Sequence, residues 1–340
     1  MLSSKQTLNK TADDLRVAAQ AVQDIIGFKK LSHSLITRAE RLEKNLFTVA
    51  LFGAFSAGKS SFANALMGEM VLPVSPNPTT AAINRILPPN SSNPHGTVKV
   101  KLKTVTDMTS DVIESLKVFE LNATNLEESI QKINELTPED VTPTAKPHFS
   151  FLKVFVRGYG DSADKLGEEI IVDLNAFKAF VAKEDKACFV EWIELYYDCP
   201  LTAQGIMLVD TPGSDSINAR HTGVAFEYIK NADAVLFVTY YNNAFSNADK
   251  EFLIQLGRVK STMEKEMFFI VNAADLAKTS SELNEVVTHI KTNLVSCGII
   301  QPRIYPVSSQ TALLAKLHKV DKLQASTEKI YRQRLGLAEG

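Results

Sequence analysis

Cysteine, histidine and tryptophan are scarce in this sequence, and charge of neither sign prevails. Three cysteines and six histidines are spread over 340 residues. Cys188, Cys199 and Cys297 lie far apart, without the short spacings of a metal knuckle or a redox pair, and the histidines form no metal pair either. The pattern argues against a disulfide framework, so the cysteines read as ordinary thiols, two of them buried near strands. A formal net charge of −2 and a pI of about 6.3 leave no overall basic surface for a nucleic-acid backbone. No apolar run approaches the roughly 18 residues of a membrane span. The polar start, mixed in charge, does not read as a signal peptide. With 45% hydrophobic residues and a mean hydropathy of −0.04, the chain is expected to be soluble and globular, long enough for one large domain or one domain plus an appendage.

What is present is concentrated first in 46-LFTVALFGAFSAGKSSFANALMG-68. Leu46 to Phe52 reads as a buried parallel strand that runs straight into glycines. Gly53, Gly58, Lys59 and Ser60 fit G-x-x-x-x-G-K-[ST], and a helix is expected to begin near Lys59. Backbone N–H groups in such a loop surround an anion, and the helix N-terminus adds partial positive charge. The phosphate cradle is therefore assigned to Gly53, Ser56, Ala57, Gly58, Lys59, Ser60 and Ser61. Lys59 would reach the β- and γ-phosphates, and Ser60 would ligate Mg²⁺.

The organisation around this motif is α/β. Leu8, Ala12, Leu15, Ala19, Val22 and Ile26 keep a three-to-four spacing, and after Gly27 the seam resumes at Phe28, Leu31, Leu35, Ala39, Leu42 and Leu46. Two amphipathic helices are expected over 5–45, and a further one beyond about 309, forming a helical neck from both ends. Strands are predicted at 46–52, 97–104, 151–157, 189–198, 205–210, 234–240, 267–272 and 303–307. Helices are predicted at 59–67, 107–119, 124–136, 174–183, 222–230, 247–258 and 280–296, and a loop with three prolines at 137–150. The fold expected is a P-loop domain with a mostly parallel central sheet flanked by helices.

Four further signals follow at strand ends. In 205-GIMLVDTPG-213, Asp210 closes an apolar strand, where it would hold Mg²⁺, and the Gly213 N–H would sense a γ-phosphate. In 268-FFIVNAAD-275, Asn272 and Asp275 fit N-x-x-D. A carboxylate at Asp275 can accept from N1–H and N2–H₂ of guanine, a donor pair that adenine lacks, and the position usually held by lysine is Ala273. In 76-PNPTTAAIN-84, Thr79 and Thr80 are candidates for a hydroxyl ligand to Mg²⁺ that engages only with a γ-phosphate present. In 304-IYPVSSQTA-312, Ser308 and Ser309 stand where a backbone N–H can meet guanine O6, and Ser308 is the expected contact. All these motifs would lie at one edge of a parallel sheet, where ligands of such sheets bind.

With these residues in view the chain resembles the dynamin superfamily, bacterial dynamin-like proteins in particular, over roughly 45–310. The resemblance rests on GAFSAGKSSFANAL, LPVSPNPTTAAIN, IMLVDTPG and NADAVLFVTYYNNAFSNADKEFL. It implies a GTPase domain at 46–310 between neck segments at 1–45 and 311–340. It implies GTP hydrolysis with Mg²⁺ held by Ser60, Thr80 and Asp210, and catalytic roles for Ser56, Lys59 and Thr80, with Ser56 helping to seat K⁺ or Na⁺. It further implies pairing of GTPase domains across the nucleotide, membrane remodelling or fusion, and a cytoplasmic location at the inner face of the cell membrane, with no nucleic acid involved. Family members continue into a stalk and a membrane-binding tip, so the sequence is expected to be part of something longer.

Two positions depart from the family: Phe55 stands where dynamins carry a catalytic Gln, and Ser56 where guanylate-binding relatives carry an Arg. Ser214 stands where Ras-type enzymes carry a Gln that orients water. Catalysis then needs an added charge, worth on the order of 10³–10⁵ in rate. A cation near Ser56, Arg85 or Arg220 could supply it, and His221 is a candidate switch residue. The alternative is a slow GTP-dependent switch or assembly module that binds partners through its helical arms. An RNA-linked GTPase is disfavoured by the charge, and an ATPase or kinase by Asp275.

Overall fold

In the computed structural model, residues 4–74, 82–212, 231–260, 266–323 and 325–334 are described. Nine strands form one sheet: β1 (Phe47–Phe52), β2 (Ile83–Leu87), β3 (Val98–Leu102), β4 (Glu169–Val172), β5 (Val190–Tyr196), β6 (Ile206–Asp210), β7 (Ala234–Tyr240), β8 (Glu266–Asn272) and β9 (Arg303–Val307). Their order across the sheet is β4-β3-β5-β2-β6-β1-β7-β8-β9. β1 runs parallel to β6 and β7, and the parallel ladder continues through β8 to β9. β2 is parallel to β5 but antiparallel to β6, and β3 is antiparallel to both β4 and β5. The sheet is mostly parallel, as the alternation of strand and helix predicts.

The central position of β1 explains its unbroken apolar run. Leu51 joins the core on one face of the sheet, with Leu208, Ile86 and Ile193. Ala50 and Phe52 join the core on the other, with Val209, Val235 and Phe237. A strand buried on both faces has no polar side to show. The helices that cover the first face include α3 (Lys59–Met67), α4 (Val105–Lys117) and α5 (Leu126–Glu135).

One predicted strand is wrong. Residues 151–157 lie inside a helix, α6 (Lys146–Ser162), so the proline-rich loop is also shorter than expected. The aromatic and β-branched content of FSFLKVFV mimics a strand, but Leu152, Phe155 and Tyr159 fall on one helical face. Phe155 packs on Phe189 with ring centroids 5.8 Å apart. Gly158 lets the helix approach α8 (Glu184–Ala187), since a Cβ there would lie 2.0 Å from the Asp185 carbonyl oxygen. Pro147 sits in the first turn, where its missing N–H costs nothing. Two strands escape prediction, β2 and the short edge strand β4. The predicted helix at 222–230 lies outside the described residues. The remaining predicted helices appear as α7 (Leu174–Ala182), α9 (Asn247–Lys260) and α10 (Ser280–Ser296).

The N-terminal helices α1 (Ser4–Val22) and α2 (Lys29–Glu43) pack as a hairpin turned at Gly27. Ala12, Ala19 and Ala39 are fully buried between them, small enough to let the backbones close in. Ser32 Oγ donates to the Ala19 carbonyl at 3.0 Å, and Arg16 pairs with Glu43 at 2.7 Å. Arg41 fastens the hairpin to the sheet: its guanidinium reaches Asp233 Oδ2 at 2.5 Å, Thr48 Oγ1 at 3.0 Å and the Asn231 carbonyl at 3.2 Å. At the other end, α11 (Ser309–Lys319) packs on α3, and α12 (Ala325–Arg334) follows it. Lys316 Nζ donates to the Ala65 carbonyl at 2.7 Å and the Leu66 carbonyl at 3.1 Å. Cys188 and Cys199 are buried and free, and burial pushes the Cys188 thiol up to about 12.

Candidate functional site: the P-loop and its neighbours

Strand β1 ends at Gly53, whose φ of +135° a side chain would rarely adopt. A Cβ there would also lie 1.9 Å from the Val238 carbonyl oxygen of β7. A 3₁₀ turn at Phe55–Ala57 follows, then Gly58 at φ +83°, and α3 starts at Lys59. The loop thus returns on itself and leads into a helix N-terminus, as the motif predicts. Ser56 is exposed in the turn, Ala57 is buried, and Gly58, Ser60 and Ser61 are half-buried.

Lys59 is only 4% exposed. Its ammonium donates to the carbonyls of Gly53 and Ala54, each at 2.9 Å. A buried cation is thereby held inside the loop. Ser60 Oγ donates to Asp210 Oδ2 at 2.6 Å. Asp210 closes β6 and is fully buried. Burial pushes its carboxyl up, while the Lys59 charge and the Ser60 hydrogen bond pull it down. Its other oxygen, Oδ1, is sealed from solvent with no partner among the described residues. Thr211 Oγ1 donates to the Leu51 carbonyl at 2.7 Å, tying the end of β6 to β1.

These residues fit Mg²⁺. The ion takes oxygen ligands, usually one or two from carboxylate or hydroxyl groups, and keeps several waters. A serine hydroxyl against a buried carboxylate with an open oxygen is such a donor set. Ser60 and Asp210 would hold the ion, and it would neutralise charge on phosphate oxygens.

The structure puts Asn272 under the P-loop. Its Nδ2 donates to the Ala57 carbonyl at 3.1 Å and the Gly58 carbonyl at 3.4 Å. Its Oδ1 accepts from Ser309 Oγ at 2.6 Å, Ser309 N at 3.3 Å and Ala273 N at 2.9 Å. Asn272 therefore braces the phosphate loop against the ends of β8 and β9. Ala273 takes a left-handed φ of +60°, and the following 3₁₀ turn presents Asp275 at the surface. Ser308 caps α11, accepting from Thr311 N at 3.3 Å and donating to Thr311 Oγ1 at 2.8 Å. Ser309, the next residue, is the one that engages Asn272.

Sequence reasoning missed two buried asparagines. Asn64 of α3 donates to the Leu72 carbonyl at 2.7 Å and accepts from Val71 N at 3.1 Å and Leu72 N at 2.8 Å. It fixes the chain just before the threonine loop. Asn84 of β2 stands opposite Asp210 in the ladder. It closes the stretch PNPTTAAIN, a polar residue at the start of an apolar strand, and that was the available signal.

Thr79, Thr80, Gly213, Ser214, Arg220 and His221 lie outside the described residues. Arg85 is a correction. It belongs to β2, not to a switch loop, and is already engaged: its guanidinium stacks 4.4 Å from the Trp192 ring and pairs with Glu194 at 3.1 Å.

Comparison with known proteins agrees with this geometry. Residues 49–274 match the model of the dynamin family. The chain is 42% identical over 306 residues to dynamin-like protein A of Bacillus subtilis, covering 87% of this chain and 25% of that protein. It is 25% identical over 311 residues to an uncharacterized protein of Caldicellulosiruptor, covering 90% of this chain and 59% of the relative. A solved bacterial dynamin, from an oligomerised pair described as sensing and tethering membranes, superposes with a TM-score of 0.61 at 21% identity, over 98% of this chain and 50% of that one. The chain thus spans less than two thirds of each of these relatives. With the family match over 49–274 and 42% identity across 87% of its length, and with the phosphate loop and the Ser60–Asp210 pair in place, this chain belongs to the dynamin family.

Proposed function

We propose that the chain is the GTPase part of a bacterial dynamin-like protein, binding GTP with Mg²⁺ and hydrolysing it to GDP and phosphate. The observation that carries the reading is the Ser60–Asp210 hydrogen bond of 2.6 Å beside the buried Lys59, at a helix N-terminus. Lys59 supplies a point charge for the β- and γ-phosphates, the P-loop N–H groups surround them, and Ser60 and Asp210 hold the ion. Asp275, three residues beyond the Asn272 brace, reads guanine through its paired donors. Thr80 and Gly213 complete the γ-phosphate contacts, and K⁺ or Na⁺ near Ser56 assists.

Residues 46–310 form the GTPase domain in this reading, with the helical hairpin of 1–45 and the segment from 311 leading to a neck. The domains pair across the nucleotide, and the longer protein works on membranes at the inner face of the cell membrane. Among the described residues no helix is long and apolar enough to cross a membrane.

Fluorescent GTP and ATP analogues test the core of this. GTP should bind at least about 100-fold more tightly than ATP, because adenine lacks the donor pair that the Asp275 carboxylate accepts from in guanine. Lys59→Ala should abolish binding, and phosphate release should require Mg²⁺. Equal affinity for the two nucleotides would remove the guanine reading. A slow switch is the second reading, favoured by Phe55 and Ser214, which leave no glutamine to orient water.

A further inference from the structure

Asn84 is a polar residue in a buried ladder, and the reading above gives it no task. It stands directly opposite Asp210 in the antiparallel register of β2 and β6. The next pair on the same face, Ile86 and Leu208, is wholly apolar and fully buried. Packing alone therefore does not call for an amide at this level of the sheet. Asn84 is 4% exposed, and its Oδ1 is sealed from solvent without a hydrogen-bond partner among the described residues. The same is true of Oδ1 of Asp210. Opposed residues of a ladder share a face, with Cβ atoms about 4.5–5.5 Å apart. Two acceptor oxygens thus occupy one buried region, and among the described residues neither has a hydrogen-bond partner. Native interiors seldom leave even one such atom open. Arg85, the adjacent cation, serves Glu194 and Trp192 instead.

The missing partner must bring O–H or N–H donors into a site that already has a serine hydroxyl and a carboxylate. A hydrated divalent cation does this, because its bound waters are strong donors and offer no competing charge. We propose that Asn84 is a positioning residue for the magnesium ion: its side-chain oxygen accepts from a metal-bound water beside Asp210 and so orients the hydrated ion on Ser60 and Asp210. The inference rests on the reading of this site as a Mg²⁺–nucleotide site. It adds an outer ligand partner to it, of the kind whose loss weakens metal binding about 10- to 100-fold.

The test is Mg²⁺ titration of fluorescent GDP binding, with EDTA as the metal-free reference. Asn84→Leu removes the acceptor at similar volume; Asn84→Asp keeps an acceptor there but adds a negative charge opposite Asp210. Binding in EDTA should agree within about twofold for wild type and Asn84→Leu, and be weaker in Asn84→Asp. The Mg²⁺ concentration for half-maximal effect should rise at least about tenfold in Asn84→Leu, whereas Mg²⁺ should restore GDP binding in Asn84→Asp. Thermal unfolding without nucleotide checks that each variant is folded, and Asn84→Ala replaces the leucine variant if that one is not. Wild-type Mg²⁺ dependence in Asn84→Leu or Asn84→Ala would overturn the proposal, as would an Asn84→Asp protein whose GDP binding Mg²⁺ does not restore. Absence of any Mg²⁺ effect in wild type would strike the metal reading of the whole site, a different failure from an Asn84 variant that behaves as wild type.

Discussion

At the scale of single residues, the two ends of the site differ in how they hold their side chains. At the phosphate end, Lys59, Ser60 and Asp210 are joined by hydrogen bonds within the protein. At the base end, Asp275 lies exposed on its 3₁₀ turn. An exposed carboxylate there should govern specificity more than folding. Asp275→Asn replaces an acceptor by an amide that also donates. Xanthine carries a carbonyl where guanine carries N2–H₂. GTP affinity should fall by about 10- to 100-fold and xanthosine triphosphate affinity should rise, with an unchanged unfolding temperature. Competition binding with the two nucleotides checks it. A variant that binds GTP as wild type does would show that Asp275 does not read the base. Asn272 should not be interchangeable with Asp275, although both belong to one motif. Five hydrogen bonds converge on Asn272 from the P-loop, Ala273 and Ser309.

At the scale of elements, α3 carries both the phosphate loop and a clamp at its far end. Lys316 of α11 covers the carbonyls of Ala65 and Leu66, where the helix dipole favours a cation. One turn on, Glu69 is bound by Lys322 and by the Tyr197 hydroxyl. These contacts hold the Glu69 carboxyl below its ordinary 4.5, Lys322 first and Tyr197 second. A carboxylate with a depressed folded pKa stabilises above its unfolded value, and that stability is lost as pH falls through the folded value. The advantage of wild type over Glu69→Gln in thermal unfolding should therefore be full at pH 6–7 and fade on acidification below about 4.5. It should be small, since Lys322 is exposed and solvent screens the pair. An advantage that does not change with pH would mean that Glu69 acts by shape and not by charge.

The elements also show what a sequence can and cannot reveal. Strands β1, β6, β7 and β8 were legible because burial on both faces removes polar residues from them. β2 was not, because Asn84 and Arg85 interrupt its apolar run, and Arg85 is polar for a reason that lies on another strand, its pair with Glu194. α6 was misread because its composition favours a strand while its burial follows a helical face. The P-loop and N-x-x-D motifs were legible as chemistry. The brace from Asn272 to Ala57 joins residues 215 apart in sequence, and no local spacing encodes it.

At the scale of the whole molecule, the question is what completes catalysis. The phosphate loop lacks a glutamine at Phe55, and Ser214 is too short to orient water. The proposed answer is a second copy, paired face to face across the nucleotides, whose contact forms only with GTP bound and completes the catalytic arrangement. Specific activity per chain should then rise with protein concentration and level off, while a transition-state analogue shifts the chain to a dimer and GDP leaves it monomeric. If Ser56 helps seat a cation, K⁺ or Na⁺ should support turnover better than a bulky organic cation at equal ionic strength. Steady-state GTPase over a wide range of protein concentrations, read beside light scattering in each nucleotide state, separates the cases. A flat specific activity with a monomer in every state would remove the paired mechanism. The slow switch would then be the better account, with a nucleotide site built for binding and a catalyst supplied by another protein.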